Sequence, residues 1–366
     1  MIFSFYPTKD ATIYEKYVNK NTGLDAILDI SKTIDSTTNY NSRVLVKFDL
    51  TTLAQYSSSG LITSASTAKY YLKLYATEPI EIPVDYNIQC YALSGSWNMG
   101  SGRFANSPET TDGVTWNYKT NVSSTSPKWA TSSYNAGTTG SYKTSPGGGN
   151  WYTGSAASQS FSYSTSDLEL DVTNIVKSWL IGSIPNEGFL IKKSDTTEQD
   201  TSVFESLKFF SRDSHTIWVP RLEVRFNDFI TTASLATINI NEENYVSISN
   251  IKETYNEKSR VIFRVNARTR FPLNSFQTSS AFLNNQLIPT ESQYSIVKAD
   301  TRDVIVPFDT GFTRISADST GNYFKYYLDG LQPEQYYKIL IKLVDSSVGY
   351  EEIYDNDWIF KVVKQQ

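Results

Sequence analysis

Arg43-Val44-Leu45-Val46-Lys47-Phe48-Asp49-Leu50 reads as a β-strand. Val44, Val46 and Phe48 alternate with Arg43, Leu45 and Lys47, a period of two that sets one strongly apolar face against a mixed one. The same texture extends in both directions. Thr12-Ile13-Tyr14 and Ala26 to Ile30 precede it, and Ala68 to Tyr75 follows, with Tyr70, Leu72 and Leu74 opposite Lys69, Tyr71 and Lys73. Asn87 to Leu93, Gly188 to Lys192, Leu207 to Arg212 and Pro220 to Phe226 continue the series. One segment breaks it. In Asp171 to Gly182 the apolar residues Val172, Ile175, Val176, Trp179 and Leu180 fall at helical spacing, with Asp171 or Thr173 as a cap and Gly182 as a stop. This predicts one short helix in this half of the chain.

The strand pattern lapses around Asn227 to Ser234, and a second series begins with Ala236 to Ile240. Arg260 to Val265, Asp303 to Pro307, Asn322 to Leu328, Tyr336 to Val344 and Asp357 to Val363 complete it, a set suited to a small sandwich of immunoglobulin-like size. The expectation is therefore an all-β chain of two sandwiches, residues 1–228 and 229–366.

Composition agrees with that reading. The 366 residues are enough for two cores, and 14% aromatic against 19% charged residues favours strands. A formal charge of -5 leaves no global positive field for phosphates, so nucleic acid is not an expected partner. With Cys90 the single cysteine, no intramolecular disulfide forms. No run of about 18 apolar residues spans a membrane, and Met1 to Pro7 lacks the basic region and long apolar stretch of a signal peptide. It reads as a cytoplasmic translation start.

Between Asn98 and Ser166 the sequence turns to Ser, Thr, Gly, Tyr and Trp, with Arg103, Glu109, Asp112, Lys119, Lys128 and Lys143 as its charges. Pro146-Gly147-Gly148-Gly149-Asn150 reads as its most flexible point. Trp116, Trp129, Trp151 and Tyr152 are costly to leave in water, so these are expected to be ordered loops lying on the sandwich.

Several segments of residues 8–226, taken in order, resemble the DNRLRE family, also classed among carbohydrate-binding modules. They are Asp10-Ala-Thr-Ile13, Asn21-Thr-Gly-Leu24, Arg43 to Leu50, Gly113-Val-Thr-Trp-Asn117 and Leu170-Asp-Val-Thr173 with Trp179, Gly182, Asn186 and Gly188 to Lys192. Phe210-Ser-Arg-Asp213 followed by Pro220 to Val224 is similar to its closing signature, although the long insertion and His215 to Trp218 depart from the pattern. The resemblance implies a jelly-roll-type β-sandwich that is not itself an enzyme. Gly330 to Lys342 is similar to segments of virion proteins of T4-like marine phages. The expectation is a phage structural protein of the neck, tail, baseplate or fibre-attachment region, a symmetric homo-oligomer within an assembly whose other partners are virion proteins. The alternative is a module that binds host or matrix polysaccharide.

The candidate chemistry is sparse. His215 is the single imidazole and lies in a Ser-His-Thr loop, where a plain surface role is expected; Cys90 is expected to be a buried thiol. Too few His and Cys are present to close a zinc site, and no Gly-x-x-x-x-Gly-Lys cradle occurs. Glu242-Glu243, Glu351-Glu352 and Asp355-Asn-Asp357 are the densest acidic clusters, expected at strand ends or turns, with a structural calcium site as the alternative and paired glycosidic carboxylates as a remoter one. Arg43, Lys47, Asp49, Arg212 and Arg221 are expected in cross-strand ion pairs or in a polar patch for sugar hydroxyls. The ligand or interface candidates are Trp97, Trp116, Trp129, Trp151, Tyr152 and Arg212. Loop packing is the first role considered for the aromatics, then stacking against sugar or an interface with a neighbouring subunit.

Overall fold

A computed structural model of the chain describes residues 1–366 apart from 61, 63–66, 78–85, 122–124, 130–146, 162–166, 202–204, 272–283 and 365–366, and apart from the side chains of 86, 161 and 205. Lys143, Pro146 and Ser166 of the loop-rich segment lie outside the described residues. The chain is all-β, built from antiparallel sheets with three short helices among the described residues. It divides into two compact units. The N-terminal unit takes residues 5–55 and 69–223, and the C-terminal unit takes residues 1–4, 56–68 and 224–366. Where the sequence suggested one continuous cut near Phe229, the contacts assign two early segments to the later unit. Phe3 shows why: its ring packs 6.2 Å from Phe226 and 5.6 Å from Tyr327. The division falls inside β1 (Ile2–Phe5) and β11 (Arg221–Arg225).

In the N-terminal unit the central strand is β4 (Thr38–Phe48). One half pairs with β3 (Ile27–Asp35), the other with β2 (Pro7–Tyr14) on one side and β9 (Phe189–Lys193) on the other. With β6 (Tyr86–Leu93), β7 (Trp151–Phe161) and β10 (Glu205–Phe210), the seven-stranded sheet runs β10-β3-β4-β9-β6-β7, with β2 on β4. A second sheet holds β11, then β5 (Lys69–Leu74), then β8 (Leu168–Asp171).

The alternation in β4 survives, but both of its faces are buried. Val44, Val46 and Phe48 are fully enclosed, and so are Leu45 and, nearly, Arg43. The mixed face is covered by the segment around Trp116 and Trp129, whose indoles pack with Ala11, Ile13, Leu45 and Leu190.

The helix expected from Asp171 to Gly182 is α2 (Thr173–Leu180), with Ile175, Val176 and Trp179 buried. Its first turn is closed by Asp171 Oδ1, which accepts from Thr173 N at 3.0 Å, and Gly182 follows in the left-handed region. Two helices were not anticipated. α1 (Thr51–Ser58) is capped by Asp49, whose carboxylate accepts from Thr51 N at 2.9 Å, and α3 (Asp195–Gln199) by the Ser194 hydroxyl.

The C-terminal unit is a sandwich of two sheets. One runs β12 (Asn244–Ile248), β14 (Arg260–Thr269), β18 (Gly321–Tyr327) and β17 (Ser316–Asp318). The other runs β13 (Thr254–Asn256), β20 (Tyr350–Val363), β19 (Gln335–Asp345), β15 (Gln293–Lys298) and β16 (Val304–Val306). Phe324 sits at the centre, stacked 4.1 Å from Tyr294 and 5.1 Å from Phe263. The expected strand Ala236–Ile240 does not form. It makes a single bridge, Thr237 to Leu287, before the Asn239 side chain accepts from Asn241 N and turns the chain.

Candidate functional site

The sequence candidates of the N-terminal unit converge on one place, and that place is closed. Trp97, Trp116, Trp129 and Trp151 are all buried in a single cluster with Tyr91 and Leu93. Trp129 Nε1 donates to Thr115 O at 3.0 Å and Trp97 Nε1 to Glu187 O at 2.9 Å, so the polar edges of these two rings are satisfied inside the protein. A sugar ring needs an indole face open to water, and these four present none. Trp97, Trp116 and Trp129 hold the loops to the sheet, whereas Trp151 and Tyr152, expected in a loop, open β7 of the sheet itself. Tyr152, one residue on in the strand, is half-buried.

Under the indoles lies a charged core. The Arg43 guanidinium sits 5.1 Å from the Trp116 ring and 5.2 Å from the Trp151 ring, and pairs with the Glu198 carboxylate through two bonds of 3.0 and 2.7 Å. Lys192 Nζ donates to the same carboxylate at 3.0 Å and to Asp195 Oδ1 at 2.5 Å. Burial would raise the Glu198 pKa, but the Arg43 and Lys192 charges and their hydrogen bonds outweigh it and bring it down to about 2. Arg43 Nη1 also donates to Gly148 O at 2.6 Å. The Gly147-Gly148-Gly149 run, expected to be the most flexible point, is therefore buried. A Cβ on Gly148, whose φ is +79°, would lie 2.5 Å from that guanidinium.

The other motif residues also serve the scaffold. Asn21 donates to Met99 O and Val114 O, both at 2.8 Å, and accepts from Gly102 N at 2.8 Å. Arg212 bonds Thr8 O through its side chain, while its main-chain N–H donates to Asp10 Oδ2 at 2.7 Å. Burial pushes the Asp10 carboxyl up, Asp213 adds to the rise, the Arg212 contacts oppose it, and the result is about 7. Lys47 pairs with Glu187 at 2.9 Å, and the Arg221 guanidinium lies 5.3 Å from the Tyr75 ring. The partners of Arg43 and Lys47 thus come from α3 and a loop, not from a neighbouring strand as expected. His215 is exposed with a left-handed backbone, and Cys90 is a buried thiol whose pKa burial raises.

The acidic clusters have partners as well. Glu351-Glu352 and Asp355-Asn-Asp357 lie inside β20, contrary to the expectation of strand ends or turns. At the irregularity where β20 passes Ile339 to Ile341 of β19, Lys338 Nζ reaches Asp355 at 2.5 Å and Asp357 at 2.7 Å, placing an ammonium where a cation would sit. Glu243 pairs with Arg270, and Glu351 with Lys342 at 2.9 Å. Among the described residues no group of three or more His, Cys, Asp or Glu is placed to hold a metal ion, and no helix is long and apolar enough to cross a membrane.

What lies open is the outer face of the β20-β19-β15-β16 sheet. Tyr336 and Ile359 are 56% and 41% exposed, Ile353 is 57% exposed and Val304 56%. The register places them on one side: Tyr336 opposite Lys361, Ile359 opposite Lys338, Ile353 opposite Lys342, and Val304 opposite Val297, which is itself opposite Lys338. The three lysines between them are neutralised by Glu334, by Asp355 with Asp357, and by Glu351. Sequence reading missed these residues. The signal was present in β19, where Tyr337, Ile339, Ile341 and Leu343 fill the core and Tyr336 falls out of phase with them.

No protein-family model matches the chain, and no curated protein matches it. Among solved structures, two of the β-glucuronidase of Parabacteroides merdae, one with glycerol in its active site, align over 81% of this chain at 11% identity. The chain covers 27% and 28% of those proteins, with TM-scores of 0.14 and 0.16, a likeness too slight to carry any argument about fold or activity.

Proposed function

We propose that this chain is a non-catalytic structural component of a phage virion, in the neck, tail, baseplate or fibre-attachment region, acting by protein–protein assembly within a symmetric homo-oligomer. The observation that carries the reading is the open face of the C-terminal unit, where Tyr336, Ile353, Ile359 and Val304 stand exposed among charge-neutralised lysines. Apolar and aromatic anchors with little net charge between them are what the core of a protein interface requires. The resemblance to the DNRLRE family supports the non-catalytic part. Its motif residues Asn21, Arg43 and Arg212 are engaged in holding loops and strands together. The test is incorporation. In cells producing the particle, the full chain should co-purify with virions, and a Tyr336→Asp, Ile359→Asp double variant should be lost from them while unfolding at the wild-type temperature. Wild-type protein absent from particles, or a double variant incorporated normally, would overturn the reading.

A further inference from the structure

A groove of about 360 Å³ runs along β12 in the C-terminal unit. Four successive residues, Asn244 to Ser247, form one wall, whereas the facing wall is made by alternate residues of β20, Tyr354, Asn356 and Trp358. Successive residues line a groove only where it follows the edge of a strand, and β12 is the edge of its sheet. The main chain of Glu243 and Ser249 bonds toward β14, so that of the even-numbered residues between them faces the groove. The Val246 carbonyl on that edge is taken by Asn356 Nδ2 at 3.1 Å.

Tyr245 stands at the rim, 46% exposed, with the Arg268 guanidinium 5.0 Å from its ring centre. Arg268 is the register partner of Tyr245 on β14, so that cation approaches the ring from the side away from the β12 edge. Arg270, also at the rim, is neutralised by Glu243. Asn244 lines the groove, is nearly fully buried, and keeps its Oδ1 without a hydrogen-bond partner while its Nδ2 donates to Asn239 O and Glu242 O.

We propose that this groove binds a saccharide, one pyranose ring lying on Tyr245 with its hydroxyls bonded to Ser247 and Asn356. A sugar has an apolar C–H face for the phenol ring and hydroxyls that both donate and accept, which matches a carboxamide and a hydroxyl set around an aromatic. An extended peptide adding to the β12 edge would need the Val246 carbonyl that Asn356 already holds. A nucleic-acid strand would need the positive charge that Glu243 cancels on Arg270. The site is independent of the assembly face, so either can fail alone.

The test is calorimetric titration of the full chain with hexasaccharides of glucose, N-acetylglucosamine and galacturonic acid, and with an oligothymidylate and an unrelated extended peptide. Saturable binding of at least one hexasaccharide is expected, weakened about tenfold by Tyr245→Ala and little changed by Tyr245→Phe, with both variants unfolding at the wild-type temperature. Absence of binding to all three sugars at millimolar concentration would overturn the proposal. So would sugar binding that survives Tyr245→Ala, or binding of only the oligothymidylate or the peptide.

Discussion

The mixed face of β4 and the outer face of β19 look alike in sequence and end differently. In β4, Arg43 and Leu45 lie opposite the apolar series; in β19, Tyr336, Lys338 and Lys342 do. The first is sealed beneath Trp116, Trp129 and Trp151, and its cation is paired with Glu198 in the interior. The second keeps Tyr336 in water, with Lys338 nearly buried between Asp355 and Asp357, and its lysines pair with carboxylates of its own sheet or its flanking turns. Whether an aromatic or a cation is structural or available to a partner thus depends on whether another part of the chain supplies a cover. The long Ser/Thr/Gly/Trp insertion is that cover, and its indoles are used on the inside.

The largest effect that would break this contrast is expected at the sealed face. Glu198→Ala leaves Arg43 and Lys192 buried without their shared carboxylate and should destabilise the N-terminal unit by roughly 3–5 kcal/mol. Denaturant unfolding, with hydrogen exchange of the β4 and β9 amides, would check it; a change no larger than at an exposed site would mean that water reaches the cluster. A smaller effect follows from titration. Glu198 titrates at about 2 in the fold against 4.5 when free, so its contribution is full above 4.5 and is lost as pH falls toward 2. Asp10 has the opposite sign. Its value of about 7 against 3.8 makes ionisation in the fold unfavourable, so stability falls as pH rises from about 4 to 7. In Asp10→Asn that slope should disappear, which unfolding free energies measured across this range against wild type would reveal. The smallest effect belongs to the open face: Tyr336→Ser should alter stability by no more than about 0.5 kcal/mol in the same denaturation experiment.

Much of the fold was legible. The period of two around Val44, Val46 and Phe48 located β4, and the spacing of Ile175, Val176 and Trp179 located α2, because both segments bury a face whose repeat matches its backbone geometry. The short helices α1 and α3 carry weak apolar periodicity and depend on capping by Asp49 and Ser194, a local signal easily lost among the many polar residues. Ala236 to Ile240 misled because its apolar alternation is a strand pattern without a full-length partner. The site was less legible. Trp116, Trp129 and Trp151 were rightly singled out as costly to expose, but Tyr336, Ile359 and Tyr245 were passed over, although Tyr336 falls out of phase with the core series of β19.

By itself the sequence determined that the chain is all-β, where its principal strands and one of its helices lie, and that it carries one imidazole and one thiol. Alternation and composition are local properties, and local properties suffice for that. Tertiary structure alone decided which faces are closed. Arg43 meets Glu198 across 155 positions of sequence, and Asn356 reaches the β12 edge across 110. Burial is a property of what the folded chain brings from far away, and no repeat within a strand records it.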